Sequence, residues 1–173
     1  MGKIRIRLDK MQVQLCMVMD FRWLQRKIAP LLETAENFKN ICPGVYYETG
    51  AWSVIKLIAL SYFVDIYTRI IPRYFDKMRY IELLSGAGLC KIRETDDIVA
   101  GSTLIAAKMC HSPFDDYILI EKDREKAEAL ERRMGSIDSN FRVIQGDCNE
   151  CVSYVFDEFG IKAEIESTGS RYD

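Results

Sequence analysis

Histidine is nearly absent from this chain: His111 is the only one among 173 residues, although there are six cysteines. A structural zinc site takes four cysteine or histidine ligands, so the pair Cys148 and Cys151 would need a second pair or nearby histidines. We therefore interpret this pair as two small residues at a strand-to-helix junction, and we predict no metal site. With no secretory signal in the sequence, the cysteines are expected to be reduced thiols in a cytoplasmic protein.

The sequence also has no long uncharged apolar run and no excess of basic residues. Its longest apolar stretch, 52–67, is interrupted by Lys56 and Asp65 and is too short for a membrane-spanning helix. With 24 basic and 26 acidic residues the net charge is −2, so no global basic field is present to hold nucleic acid. The content of 49% hydrophobic and 29% charged residues is typical of a globular protein of one ordinary domain.

The first half of the chain is predicted to be mostly helical. Apolar residues recur at steps of three and four from Met17 to Leu31, which indicates a helix that Pro30 kinks or divides. Residues 40–50 are predicted to be a loop because of their Pro-Gly turn signal. A second helix is predicted from about 52 to 70. Its larger aromatic residues are expected in the core: Trp52, Tyr62 and Tyr67.

From residue 78 onward, predicted strands alternate with predicted helices. The strands are 78–84, 116–121 and 141–147, and the helices are 102–110, 124–135 and 149–160. Ser102 is the expected N-cap of the first of these helices. Residues 85–101 are predicted to be a long loop that could cover a ligand as a lid. Strands separated by helices of this length imply a parallel sheet and an α/β fold.

The three predicted strand ends carry groups that fit a nucleoside. The first strand runs into Ser85-Gly86-Ala87-Gly88, the second ends at Glu121, and the third is followed by Asp147. Ligands bind beyond the carboxyl ends of the strands in an open parallel sheet. Glycines let a ligand approach closely, a glutamate can accept hydrogen bonds from two ribose hydroxyls, and an aspartate can accept one from an adenine amine. The sequence therefore predicts that these ends form one site.

The presence of Glu82 favours one class of nucleoside ligand over another. Its carboxylate would lie close to the pyrophosphate of a dinucleotide, and Lys91 replaces the third glycine that such a site expects. S-adenosylmethionine carries an ammonium and a sulfonium instead, so we interpret Glu82 as ordering the glycine turn or facing a cation. Purely structural roles remain open: a solvent-facing Glu82, glycines that serve only a tight turn, and helix caps at Glu121 and Asp147.

The ordered set of these segments resembles the first three motifs of class I S-adenosylmethionine-dependent methyltransferases. The segments are IELLSGAGL (81–89), ILIEKD (118–123) and VIQGD (143–147). Within that class, residues 46–150 more closely resemble the three-Cys-motif partner proteins. The positions that match the pattern of this family are Trp52, Ser53, Lys56, Glu82, Ser85, Gly86, Gly88, Gly101, Ser102 and Glu121.

This resemblance implies a Rossmann-like class I methyltransferase-type three-layer sandwich that binds S-adenosylmethionine. Residues 1–77 would be a helical N-terminal extension packed on a Rossmann-like core, 78–173, in one compact domain. The sheet is expected to be truncated after about the third or fourth strand, with 161–166 as a stub strand and a protein partner or homodimer covering the open edge. The cofactor-binding residues would be Glu82, Ser85, Gly86, Gly88, Glu121 and Asp147. No catalytic residue can be named.

Two alternatives to a methyltransferase of unknown acceptor remain open. One is a catalytically inactive or truncated methyltransferase-like protein that works as a partner or scaffold. The weaker alternative is a dinucleotide-binding module, which Lys91 disfavours. No membrane partner is expected, and the net charge does not indicate nucleic acid.

Overall fold

A computed structural model describes residues 21–137 and 140–158. The expectations for Cys16, Met17, Gly160 and 161–166 concern residues outside these ranges. The helices are α1 (Phe21–Phe38), α2 (Trp52–Ile70), α3 (Ser102–Lys108), α4 (Arg124–Met134) and α5 (Cys148–Glu158). The strands are β1 (Tyr47–Thr49), β2 (Arg79–Glu82), β3 (Leu89–Ile92), β4 (Ile98–Ala100), β5 (Asp116–Glu121) and β6 (Phe141–Gln145). The described residues thus form a mixed α/β fold with two three-stranded sheets.

The first sheet is parallel, as the alternating pattern predicts. Its strand order is β2-β5-β6, with Ile81 opposite Ile118 and Leu119 opposite Val143. The strand β5 has the predicted bounds, and its four central residues are buried, as expected for a strand covered on both faces. The strand β2 pairs only with β5 among the described residues, so it forms one edge of this sheet.

A second, smaller sheet forms where the sequence predicted two loops. The strand β1 lies within 40–50, and β3 and β4 lie within 85–101. The strand β3 pairs with β1 in parallel and with β4 antiparallel. Four apolar residues of this hairpin are fully buried: Leu89, Ile92, Val99 and Ala100. The lid prediction is therefore wrong, because a hairpin with these side chains in the core cannot open without exposing them.

Helices cover both faces of the parallel sheet. On one face, Leu104 of α3 and Leu130 of α4 belong to the main hydrophobic core, together with Leu119 of β5. On the other face, Val155 of α5 packs with Ile118 of the same strand. Neighbouring residues of β5 point to opposite faces because side chains alternate along a strand. These layers are compatible with an α/β sandwich.

The helix α1 continues unbroken through Pro30, so the predicted division of this helix is wrong. It joins the main core through its apolar stripe: Leu24, Ile28, Leu31, Ala35 and Phe38.

The helix α2 has the predicted bounds, but two of its three aromatic residues that were predicted to lie in the core are exposed. Trp52 is 60% exposed and Tyr62 is 40% exposed, because α2 buries only one face, including Val54 and Ile58. Tyr67 packs partly buried against the core.

Within the described ranges, no helix combines the length and the apolar character that crossing a bilayer requires.

Candidate functional site

The chain bends sharply after β2, and two glycines form the bend. Ser85 N–H donates a hydrogen bond of 3.0 Å to the Ile120 carbonyl oxygen, which attaches the bend to β5. Gly86 and Gly88 then have φ angles of 62° and 79°, in the left-handed region that favours glycine. A Cβ on Gly88 would also lie 3.0 Å from the Leu130 side chain. The glycines of this segment are therefore required by its local structure.

A backbone contact attaches this bend to the start of α3. Gly101 N–H donates a hydrogen bond of 2.8 Å to the Gly88 carbonyl oxygen. Gly101, not Ser102, occupies the N-cap position of α3, so the N-cap prediction for Ser102 is wrong. Ser102 is instead the first residue of the helix, and its hydroxyl donates to Glu82.

A pocket of about 240 Å³ lies at the bend, bounded also by the small sheet and the first turns of α2 and α3. Three residues of the predicted cofactor site line this pocket: Ser85, Gly86 and Gly88. Four further lining residues match the family resemblance: Ser53, Lys56, Gly101 and Ser102. Thus the segment after β2 and the start of α2, which are about thirty residues apart in sequence, share one concave surface.

Glu82 lies behind this pocket and is satisfied by hydroxyl groups. Its carboxylate accepts hydrogen bonds from Ser102 Oγ, from Thr103 Oγ1 at 2.7 Å and from the Tyr80 hydroxyl at 3.2 Å. A buried carboxylate is tolerated when donors of this kind satisfy it. Glu82 is therefore half-buried with its carboxylate engaged by three hydroxyl groups, and it reaches the pocket through Ser102 rather than directly.

Burial is the main cause of the raised pKa values of Glu82 and Cys90. It raises the pKa of Glu82 above the ordinary value of 4.5; the three hydroxyl donors oppose this shift and the Glu121 charge adds to it. Burial, together with the Glu82 charge, raises the pKa of the Cys90 thiol to about 12. Cys90 lines the pocket, and at neutral pH it is a protonated thiol without nucleophilic character.

A pH series on Glu82→Gln tests this arrangement. Because the pKa of Glu82 is raised in the folded state, the native protein binds this proton more tightly than the unfolded chain. Its contribution to stability is complete below pH 4.5 and is lost as the pH rises through the folded-state pKa. We expect the stability of Glu82→Gln relative to wild type to increase over that window, measured by urea unfolding at successive pH values. The exposed variant Glu36→Gln is the control, and parallel curves for wild type and Glu82→Gln would contradict the arrangement.

Glu121 turns toward the glycine bend. Its Oε2 accepts a hydrogen bond of 2.8 Å from Gly86 N–H, and its Oε1 accepts one of 2.9 Å from Asp123 N–H. A carboxylate has about four acceptor positions, so these two bonds leave acceptor capacity for ligand hydroxyls. The bond to Gly86 also holds the bend, a role that the sequence interpretation gave to Glu82.

Asp147 caps α5 and lies at the surface. Its Oδ1 accepts hydrogen bonds of 3.0 Å from Asn149 N–H and from the Asn149 side chain, and its Oδ2 lies 2.8 Å from Lys122 Nζ. The Lys122 ammonium and the Asn149 backbone hold the pKa of Asp147 below its ordinary value. This is the structural alternative that the sequence left open. Asp147 and Glu121 do not line the pocket.

Two residues at this site were missed by the sequence interpretation. Tyr47 of β1 lines the pocket, and its Cβ lies 3.5 Å from where a Cβ on Gly86 would be. Arg133 of α4 is fully buried and donates to the Ala87 carbonyl oxygen at 2.5 Å. Its helical spacing could have revealed this, since Leu130 and Met134 on the same stripe are buried as well.

Comparison of the chain with protein-family models, with curated proteins and with solved structures finds no match in any of the three. Across residues 21–137 and 140–158, no three or more His, Cys, Asp or Glu side chains are grouped so that they could hold a metal ion.

Proposed function

We propose that this protein binds S-adenosylmethionine at the glycine bend and is a methyltransferase-like protein whose acceptor is unknown. The observation that carries the proposal is the pocket at the carboxyl end of β2, with the positive-φ residues Gly86 and Gly88 in its wall and Glu121 bonded to the same bend. A nucleoside cofactor needs such a close approach to backbone at this edge of a parallel sheet. The resemblance to Rossmann-like methyltransferases and to the three-Cys-motif partner proteins forms part of this proposal.

In this proposal, the two ends of the cofactor bind to two regions of the site. The pocket takes the amino-acid end, and the surface from Gly86 toward Glu121 takes the ribose, whose hydroxyls use the remaining acceptor positions of Glu121. Asp147 is the proposed acceptor for the adenine amine. Its exposed pair with Lys122 would have to share that carboxylate, which costs little because surface ion pairs are weak.

A bound S-adenosylmethionine supplies a methyl group on a sulfonium, and an acceptor would have to lie in line with it at about 3 Å. In methyl transfer, the role that we assign to this chain is to position the cofactor: the bend and Glu121 hold the nucleoside in place.

Cytoplasmic location is also part of the proposal. It is supported by the described cysteines Cys42, Cys90, Cys110, Cys148 and Cys151, which are all free thiols.

Calorimetric titration with S-adenosylmethionine, S-adenosylhomocysteine and NAD tests this function. We expect saturable heat with the first two and none with NAD. Gly86→Val should weaken binding at least about tenfold, ~1.4 kcal/mol. A β-branched residue rarely adopts a φ of 62°, and its side chain would grow toward Tyr47 beside the pocket.

Gly44→Val is the matched control for Gly86→Val. Gly44 has a φ of 91°, and a Cβ there would meet nothing within 4 Å. It therefore carries similar backbone strain without filling the pocket, and it should bind the cofactor like wild type once folding is verified. Binding of NAD alone would support the dinucleotide-binding alternative, and no heat with any of the three ligands would overturn the cofactor proposal.

The second candidate is a methyltransferase-like partner or scaffold protein without catalysis. It is favoured by the edge of the parallel sheet at β2 and by exposed apolar residues on the neighbouring helix α2: Phe63, Ile66 and Ile70. An edge strand beside exposed apolar side chains is a surface that another chain can cover. We propose that a protein partner or a second copy of the chain covers it. Absence of nucleoside binding would favour this candidate.

A further inference from the structure

Cys148 and Cys151 are the one pair of cysteines in this sequence with the spacing of a helical turn, and neither takes part in the candidate site. Cys148 is the first residue of α5, and Cys151 lies three residues further along the same helix. Both are free thiols and both are half-buried. Residues three apart on a helix lie on the same face, with Cβ atoms about 5–6 Å from each other.

Both sulfur atoms are directed to the same side of the first turn of α5. The two side chains pack against one apolar cluster, whose buried members are Ile118, Ile120 and Val155. Cys151 Sγ also lies 2.7 Å from where a Cβ on Gly146 would be. This sulfur therefore points back toward the junction of β6 and α5, as helical side chains do, and Cys148 begins the helix at that junction.

The spacing of this pair is compatible with a disulfide bond. In a regular helix, Cα atoms three residues apart are separated by about 5 Å, which lies within the range of about 4.4–6.8 Å found in disulfides. The Cβ atoms would have to approach each other by about 1–2 Å, to the ~4 Å typical of a disulfide. The first turn of a helix can make such an adjustment because it lacks the full set of intrahelical hydrogen bonds.

The other described cysteines lack this arrangement. Burial raises the pKa values of the Cys90 and Cys110 thiols, so both are protonated at neutral pH and are poor nucleophiles. Cys42 is half-buried, but no other cysteine lies near it in the sequence. Thiol chemistry that needs two neighbouring cysteines is therefore assigned to Cys148 and Cys151.

We propose that Cys148 and Cys151 are a redox-active dithiol, which a small disulfide such as glutathione disulfide oxidises to a disulfide bond in the first turn of α5. One thiolate attacks a sulfur of glutathione disulfide and displaces one glutathione thiolate, which leaves a mixed disulfide. The second thiolate attacks the protein sulfur of this mixed disulfide and displaces the second glutathione thiolate. The two cysteines lose two electrons and two protons, and glutathione disulfide gains them.

The bond is expected to be reversible. It closes a segment of only four residues, so it gains little stability from chain entropy. The approach of the Cβ atoms also strains the first turn, and strained disulfides are readily reduced by thiols. Reversible disulfides of this kind are compatible with a reducing compartment, where they are usually catalytic or redox-sensing. The proposal does not depend on cofactor binding.

The test incubates the folded wild-type protein with excess glutathione disulfide, blocks the remaining thiols and maps the peptides by mass spectrometry. We expect a link between Cys148 and Cys151 with the loss of two hydrogen atoms, and we expect excess reduced glutathione to restore both thiols. The variants Cys148→Ser and Cys151→Ser should each retain one glutathionyl group on the remaining cysteine of the pair. Cys42→Ser is the matched control and should form the link like wild type.

Three results would overturn the inference. The first is two unmodified thiols at Cys148 and Cys151 after incubation of wild type. The second is a stable glutathionyl group on either residue in wild type, because the neighbouring thiolate would then have failed to displace it. The third is a link that excess reduced glutathione does not open, since the pair would then be a structural bridge. The measurement on wild type does not depend on how the variants fold, and failure of nucleoside binding would leave its result unchanged.

Discussion

Arg133→Met is expected to lower the free energy of unfolding by about 3 kcal/mol or more, since each buried group left unsatisfied costs about 1–3 kcal/mol. Among the described residues, the guanidinium donates to four backbone carbonyl oxygens and to no side chain: Ile41, Cys42, Val45 and Ala87, at 3.2, 3.1, 2.9 and 2.5 Å. Methionine would fill much of the volume but donate to none of them. Urea unfolding followed by circular dichroism measures the loss.

The matched control is Arg132→Met, the same substitution at the neighbouring residue of α4. Arg132 is exposed, and its side chain makes a long contact of 3.8 Å to the Cys42 sulfur. Surface substitutions of this kind usually change stability by less than about 0.5 kcal/mol. Equal, small losses in Arg132→Met and Arg133→Met would show that the carbonyl oxygens find other donors and that Arg133 is not required.

Arg133 also connects the fold to the candidate site. Ala87 lies between the two positive-φ glycines, and the carbonyl groups of 41–45 precede β1, whose Tyr47 lines the pocket. One side chain therefore holds both the bend and the segment that faces it. Lysine has a point charge and three donors in place of the planar fork of arginine, so Arg133→Lys is expected to recover only part of the stability.

The parallel sheet could be predicted from the sequence because its signal is local. The strand β5 is a continuous apolar run, with Tyr117–Ile120 buried, between turn residues, and the helices on either side have clear periodicity. The hairpin β3–β4 could not be predicted in this way. Its strands have four and three residues, too few to show an alternation, and the charged turn between them reads as part of a loop.

The same distinction between local signals and contacts of distant residues applies to the candidate site. Gly86 and Glu121 could be placed together because the carboxyl ends of parallel strands meet at one edge of a sheet. The contribution of Tyr47 depends on β1 pairing with β3, a contact between residues more than forty positions apart, for which the sequence has no local signal. The prediction that the Glu82 carboxylate orders the glycine turn is wrong for a related reason: its partners Ser102 and Thr103 come from a later helix.

Gly101→Ala is expected to destabilise the protein by roughly 1–3 kcal/mol, the usual cost of forcing an extra carbon into a packed site. An added Cβ would lie 2.9 Å from the Gly88 carbonyl oxygen and 3.1 Å from its carbon, which are backbone atoms that cannot rotate away. Gly101 has a φ of −80°, so alanine is conformationally allowed there and the whole effect is steric. Thermal and urea unfolding measure the loss.

Gly50→Ala is the matched control, because an added Cβ would meet only the ends of the Arg93 and Glu94 side chains, both at 3.4 Å. These ends can shift, so a change near zero is expected. Gly101→Ala should also weaken cofactor binding, since the Gly88 carbonyl that must move is part of the pocket wall. A destabilised Gly101→Ala with unchanged affinity would show that the bend tolerates movement, and the glycines would then be required for packing rather than for a ligand.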